Sequence, residues 1–494
     1  MLNKTLNSIL NFSNKEAFVI DGVSFLFSDF GKKITAIISE IIKHKTSDNQ
    51  IIGIIADNNF DTFASIYAVW FSGCAFVPLS VSTPQQRNEN IANRLNLKLI
   101  IDTIGNNNIN NIKTINSTKL NSDRINISTP ILKSNNLSYI LFTSGSTGEP
   151  KGVPISVKNI NSYYNNFFKI GYNIDETDRF IQAFELTFDY SIKSYIIPLS
   201  IGATLYTPKK KGVKYLNIIK AIIDNKITFI NTVPSSVNLL VKQFGNINLP
   251  FVKYMIFAAE AASKSIINQW QNCIPNADIY NCYGTTETTI ITTFYKWNRN
   301  GKNQSYNDSL SIGKPYGDNE IVLIDENNSP ISDNKKAEIC IAGTQVFNGY
   351  FNMPEKNKTA FIIIDEKTYY RTGDIGFYSE TNDIMYVGRA DSQVQIQGNR
   401  VELGEIKSIL KNILPKNEIE IITYNISEIM HIVAFVKALQ TNIDDIKIAM
   451  SKTVPHYMVP SYIINIDKFP YSVNGKTDKN KLREFFKNYL NNDK

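Results

Sequence analysis

The chain has 494 residues, 43% hydrophobic and 20% charged, the composition of an ordinary globular protein long enough for about three domains or subdomains. Its 52 basic and 45 acidic side chains leave a formal charge of +7, which at this size gives no reason to expect nucleic acid as a partner. The one conspicuous lysine cluster, Pro208 to Lys214, reads as a solvated turn, and no apolar run approaches the ~20 residues a membrane helix needs.

The start of the chain, MLNKTLNSILNFSNKE, lacks the apolar core and cleavage site of a signal peptide. Cys74, Cys273, Cys282 and Cys340 are scattered without C-x-x-C spacing. Both features lead us to expect a cytoplasmic protein with reduced thiols and no membrane association. Short apolar runs then alternate with helical patterns. Ile51 to Ala56 reads as a buried strand, Phe60 to Phe71 as a helix and Ala75 to Leu79 as the next strand. Such alternation implies parallel sheets covered by helices. Asn106 to Thr129 is rich in Asn, Ser and Thr with little periodicity and reads as a surface excursion.

An apolar run, Tyr139 to Phe142, leads into LFTSGSTGEPKG, Leu141 to Gly152. Glycines let backbone approach a ligand closely, hydroxyls and free N–H groups supply donors, and Lys151 adds charge, a composition suited to polyphosphate. A polar turn after a strand would carry the same residue types. The stretch is not a Walker A loop, because counting from Gly145 puts Pro150 where the second glycine belongs.

Beyond it Ser156 can cap a helix to about Phe168, and strands are expected at Phe180 to Phe184, Ala203 to Tyr206, Thr228 to Asn231, Tyr254 to Phe257 and Asp278 to Cys282. From Asp318 to Met385 the texture changes to strand-length stretches with turn signals, a small antiparallel β unit. Past Arg389 a compact α/β pattern follows, with Leu403, Ile406, Leu410 and Ile413 on one helix face.

Four further stretches carry chemistry. In NCYGTTETT, Asn281 to Thr289, Tyr283 offers a flat face for a purine and Glu287 a hard oxygen for Mg²⁺. YRTGD, Tyr370 to Asp374, sets an aspartate beyond a glycine turn, where a carboxylate can accept from two ribose hydroxyls or merely close the turn. GRADSQVQIQGNRVELGEI, Gly388 to Ile406, joins the two parts of the chain, and NGKTDK, Asn474 to Lys479, carries Lys476.

Taken together, these motifs resemble those of the adenylate-forming superfamily, which includes acyl-CoA synthetases, luciferases and peptide-synthetase adenylation domains. The similarity runs from GCAFVPLS at Gly73 to Lys476. It implies an α/β fold: a large N-terminal domain of two helix-covered sheets plus a small β-barrel subdomain, and a small mobile α+β C-terminal lid. The implied boundaries are 1–389 for the AMP-binding core, divided into 1–317 and 318–389, and 390–494 for the lid. ATP and Mg²⁺ are the implied cofactors. The resemblance assigns Thr143, Ser144, Gly145, Ser146, Thr147, Gly148 and Lys151 to the phosphates and Tyr283 to adenine. Thr286 goes to the α-phosphate, Asp374 to the ribose, and Tyr386 and Arg389 to the nucleotide. Glu287 is implied as the metal ligand, Asp391 as the hinge, and Lys476, with Thr143 and Glu287, as the catalytic set. Gln395 departs from the pattern, since many members have lysine there.

Phe188-Asp189-Tyr190-Ser191 resembles the F-D-x-S pattern in which the aspartate pairs with a substrate α-ammonium. Asp189 could instead cap a helix and bridge to Lys193 at i,i+4. The resemblance lines the substrate pocket with Asp189, Tyr190, Lys193, Asn231, Ile256, Ala258, Cys282, Ile290 and Ile291. If Lys193 points inward, an acidic substrate side chain is favoured. The implied activity is amino-acid activation as aminoacyl-AMP, followed by transfer to a phosphopantetheine thiol. No L-G-G-x-S attachment motif is present, so the carrier is expected to be a separate protein. An acyl-CoA or aryl-CoA ligase and a nucleotide-binding scaffold without catalysis are the alternatives. Asp189 speaks against the first, and intact Thr143, Glu287, Asp374 and Lys476 against the second.

Overall fold

A computed structural model describes the chain apart from residues 107, 108, 110, 145–149, 238, 239, 241–246, 333, 391, 392, 397, 427, 428, 472–476, 493 and 494. It divides into two compact units. The larger comprises Met1–Val81, Glu89–Phe142 and Gly152–Ala390; the smaller comprises Ser82–Asn88, Thr143–Lys151 and Asp391–Lys494.

Two sheets organise the larger unit. In the six-stranded one, Ile51–Ala56 lies between Leu99–Asp102 and Ala75–Ser80, all parallel. The helix Phe60–Phe71 starts where the Asn59 side chain accepts a hydrogen bond from the Thr62 backbone N–H, satisfying an otherwise orphaned donor. All its residues except Asp61 are buried. A helix buried on nearly every side must be covered on more than one face, and this one packs on the strands Ile51–Ala56 and Ala75–Ser80 while Phe63 stacks on Phe18 and meets Tyr195. Lys113–Asn116 also belongs to this sheet, pairing in parallel with Leu99–Asp102, so the Asn-rich stretch is not the irregular excursion its composition suggested. Backbone pairing to a preformed strand needs only alternate burial, here Ile115.

The nine-stranded sheet is parallel through its centre and antiparallel at both ends. Its strands Phe229–Thr232, Tyr254–Phe257 and Asp278–Tyr283 run in parallel register, with Asn231 opposite Ile256 and Ile256 opposite Tyr280. Period-two alternation sends Phe229, Ile256, Ala258, Tyr280 and Cys282 into one apolar cluster and Ile230, Met255, Phe257 and Ile279 into another. The strand expected over Phe180 to Phe184 ends at Ile181. There Gln182 donates its side-chain amide to the Phe184 carbonyl at 2.9 Å and turns the chain.

Antiparallel pairing over Glu320–Arg389 forms the β-rich part. Its strand order leaves two free ends, so it is a half barrel rather than a closed barrel. In the smaller unit a three-stranded sheet has Leu403–Ile413 and Ile443–Ser451 packed through one apolar cluster, and Lys479–Asn492 through a second. This is the expected α+β arrangement.

Candidate active site

At the end of the strand Asp278–Tyr283 the chain turns through Gly284 into the short helix Thr286–Thr288. A Cβ on Gly284 would stand 2.5 Å from the Ile290 carbonyl oxygen, so only glycine lets the turn close this tightly. Tyr283 donates its hydroxyl to Asp374 Oδ2 at 2.6 Å, and Arg389 donates to Asp374 Oδ1 at 2.8 Å. Asp374 and Arg389 face each other across adjacent antiparallel strands. Burial and the neighbouring Asp374 carboxylate push the Tyr283 phenol well above its ordinary range, so it stays a donor. Tyr386 lies beside it, ring centroids 6.2 Å apart. The result is a carboxylate fixed by a phenol on one oxygen and a guanidinium on the other, with a second aromatic ring beside the first.

Glu287 is fully buried and accepts a hydrogen bond from the Tyr350 hydroxyl at 2.8 Å; that hydroxyl also lies 3.1 Å from Tyr370 OH. Thr286 precedes it and is also buried. Gln345 is a functional support that sequence reasoning missed. It is completely buried and its amide donates to the Ile291 carbonyl at 2.7 Å and to the Thr288 and Thr289 carbonyls at 3.3 Å, fixing the turn that carries Glu287. A lone glutamine in GTQVF has no local signal for such a role.

The nine residues expected to form the substrate pocket are all buried. Tyr190, Ile256, Ala258, Cys282, Ile290 and Ile291 share one apolar cluster, and Tyr190 OH donates to the Ile256 carbonyl at 3.4 Å. Asp189 occupies the position before the helix Tyr190–Ile201, but its side chain makes no capping hydrogen bond. Among the described residues no ion pair joins it to Lys193, so the intrahelical bridge considered as an alternative does not form. Burial depresses the Lys193 pKa to about 7 and pushes the Cys282 thiol up to about 12. Ala259 and Ile290 sit at positive φ, 71° and 76°, and for the β-branched Ile290 this is strained backbone.

In the smaller unit, Thr143 Oγ1 is buried without a hydrogen-bond partner among the described residues. Ser144 donates to the Arg400 carbonyl at 2.9 Å, and Lys151 pairs with Glu402 at 3.2 Å, both side chains buried. Gln393 also bonds Glu402. Gly145, Ser146, Thr147, Gly148, Asp391 and Lys476 lie outside the described residues.

Residues 7–351 match the AMP-binding enzyme family, which is the adenylate-forming class that this fold and these motifs define. The chain belongs to that family. It is 30% identical over 485 residues to gramicidin S synthase 1 of Brevibacillus brevis, covering 95% of this chain but 43% of the relative, so it spans less than half of that protein. In fold it resembles the Vibrio cholerae adenylation domain AlmE, solved in complex with glycyl-adenosine-5′-phosphate, with a TM-score of 0.86, 21% identity and coverage of 98% and 97% of the two chains. It also resembles NpsA-ThdA, an artificially fused adenylation–PCP di-domain NRPS from Klebsiella oxytoca, with a TM-score of 0.83, 19% identity and coverage of 94% and 93%.

Proposed function

We propose that this protein uses ATP to activate an amino acid as aminoacyl-AMP, releasing pyrophosphate, and then transfers the aminoacyl group to the phosphopantetheine thiol of a carrier, releasing AMP. The observation that carries the reading lies in one turn. Thr286 and Glu287, assigned to phosphate and metal, and Ile290 and Ile291, assigned to the substrate, belong to the turn that leaves the strand Asp278–Tyr283 at Gly284 and that Gln345 braces, so a molecule beside Ile290 and a nucleotide phosphate at Thr286 would be neighbours. The gramicidin S synthase relative and the adenylation–PCP structure agree in kind with a carrier as partner.

The substrate carboxylate is already ionised at neutral pH and needs no general base. It forms a bond to the α-phosphorus while the bond to the bridging oxygen breaks and pyrophosphate leaves. The protein's task is therefore positioning and charge neutralisation. Asp374, fixed by Tyr283 and Arg389, orients the ribose. Asp189 receives the substrate α-ammonium. Thr143, with its unpartnered hydroxyl, and Thr286 serve the phosphates, and Lys476 bridges the α-phosphate and the substrate carboxylate. A buried single carboxylate fits magnesium, which is held by one or two carboxylates plus phosphate. Glu287 would hold Mg²⁺, which neutralises phosphate charge. The four cysteines are buried and form no disulfide among the described residues, which agrees with a cytoplasmic setting.

Amino-acid-dependent ATP–pyrophosphate exchange tests the reading. Lys476→Ala should depress adenylate formation ~10²–10³-fold with an unchanged circular dichroism spectrum. Exchange driven by fatty or aryl acids but by no amino acid would overturn it.

A further inference from the structure

We propose that Lys193 and Asn231 select an amino acid whose side chain ends in a carboxylate. This rests on the reading above that the residues around Asp189 receive an amino acid.

Lys193 is 2% exposed, and its Nζ lies 5.1, 5.6 and 5.7 Å from the ring centroids of Tyr190, Phe229 and Phe167. Three aromatic faces attract a cation, but they provide neither a conventional hydrogen-bond acceptor nor a negative charge. Among the described residues Lys193 makes no hydrogen bond and no ion pair. Its titratable neighbour is Cys282, a thiol that burial keeps neutral. The phenols of Tyr163, Tyr172, Tyr190 and Tyr316 around that thiol are pushed up by burial as well, so none supplies an anion.

Asn231 is two residues along the same strand from Phe229, one step further on the same face. It is 3% exposed, and neither its side-chain oxygen nor its nitrogen has a hydrogen-bond partner among the described residues. Leaving such groups unsatisfied is unfavourable, because burial has stripped them of water without replacing its hydrogen bonds. An ammonium and an amide, both short of partners, thus interrupt an otherwise apolar and aromatic wall.

A ligand side chain can complete both. A carboxylate has two acceptor oxygens and no donor, so it can take a charge-assisted bond from Lys193 and a second from the Asn231 N–H₂. A side-chain amide could offer its oxygen to Lys193 and its N–H₂ to the Asn231 oxygen but would bring no negative charge to the ammonium, and a hydrocarbon would leave both groups stranded. The helix adds charge order. Asp189 and Lys193 are four residues apart, ~6 Å along the axis. That is close to the span from an α-nitrogen to a side-chain carboxylate, so a negative and a positive site face the substrate's positive and negative ends.

ATP–pyrophosphate exchange by the full chain across the amino acids, with 2-aminoadipate added, tests the assignment. Aspartate, glutamate or 2-aminoadipate should give the highest kcat/KM, with the matching amide or hydrocarbon analogue lower by ~10²-fold or more. Lys193→Met combined with Asn231→Leu should lose that carboxylate substrate by a similar factor and gain leucine or methionine. Should this variant fail to fold, binding of wild-type protein to glutamyl- and glutaminyl-sulfamoyl-adenosine keeps the comparison open, and equal affinity would overturn the inference. Exchange driven best by a neutral amino acid would overturn it too while leaving amino-acid activation standing. Exchange with no amino acid at all would remove both.

Discussion

Lys193 sets the terms at the scale of single residues, because a buried ammonium affects stability as well as specificity. Its pKa falls from 10.5 to about 7 on folding. Below pH 7 both states are protonated and the fold bears the whole cost of the buried cation. Between pH 7 and 10.5 the unfolded chain binds the extra proton, so stability rises with pH through that window. We expect Lys193→Met to raise Tm by about 2 °C or more at pH 6, with the gain shrinking towards pH 9.5 in thermal scans of the ligand-free protein. A gain that does not change with pH would contradict the assignment. At Ala259 the strain is in the backbone. Its φ of 71° costs a non-glycine residue ~1–2 kcal/mol, of which the greater unfolded-state freedom of glycine takes back ~0.4–1. Ala259→Gly should therefore raise the urea midpoint by an amount worth up to about 1 kcal/mol.

Elements decide how rigidly the nucleotide site is held. The strand ending at Tyr283 meets the antiparallel pair carrying Asp374 and Arg389 where the Tyr283 hydroxyl donates to Asp374 at 2.6 Å, and within that pair Arg389 holds the other oxygen of Asp374 at 2.8 Å. Hydrogen bonds to a charged group are worth ~1.5–3 kcal/mol, so Tyr283→Phe should raise KM for ATP by about tenfold or more and leave KM for the amino acid nearly unchanged. Equal effects on both substrates would mean that Tyr283 supports the sheet rather than the ribose site. Gly284 acts through shape. A methyl group there meets backbone at Ile290 and Ile291, neither of which can rotate aside, and must displace the turn that presents Thr286 and Glu287. A misplacement of ~1 Å can cost ~10²-fold, and Gly284→Ala should lower kcat by about that factor with little loss of secondary structure by circular dichroism.

Across the whole molecule, the two compact units have separate hydrophobic cores. Every described residue in the cores of the smaller unit falls between Val394 and Leu490, whereas the clusters of the larger unit end at Tyr386. Units with separate cores need not melt together. Calorimetry should give a calorimetric enthalpy above the van't Hoff value, and one two-state transition would show that the units unfold as a single block.

Much of this was legible in the residue order. Phe60–Phe71, Tyr254–Phe257 and Leu403–Ile413 follow from apolar spacing within a dozen residues, and the motifs around Tyr283, Glu287 and Asp374 needed only their own neighbours to be recognised. Short-range periodicity and turn chemistry are local properties, so a local reading can recover them. Tertiary structure alone decided who meets whom. Glu287 takes its hydrogen bond from Tyr350, 63 positions away, and Gln345 braces a turn 54 positions behind it. The Asn-rich segment gained a strand because a neighbour offered its edge. Lys193, which local spacing allowed to bridge Asp189, was instead enclosed by rings from other elements. Partnerships of this kind depend on how distant segments pack, and no window along the chain contains both members.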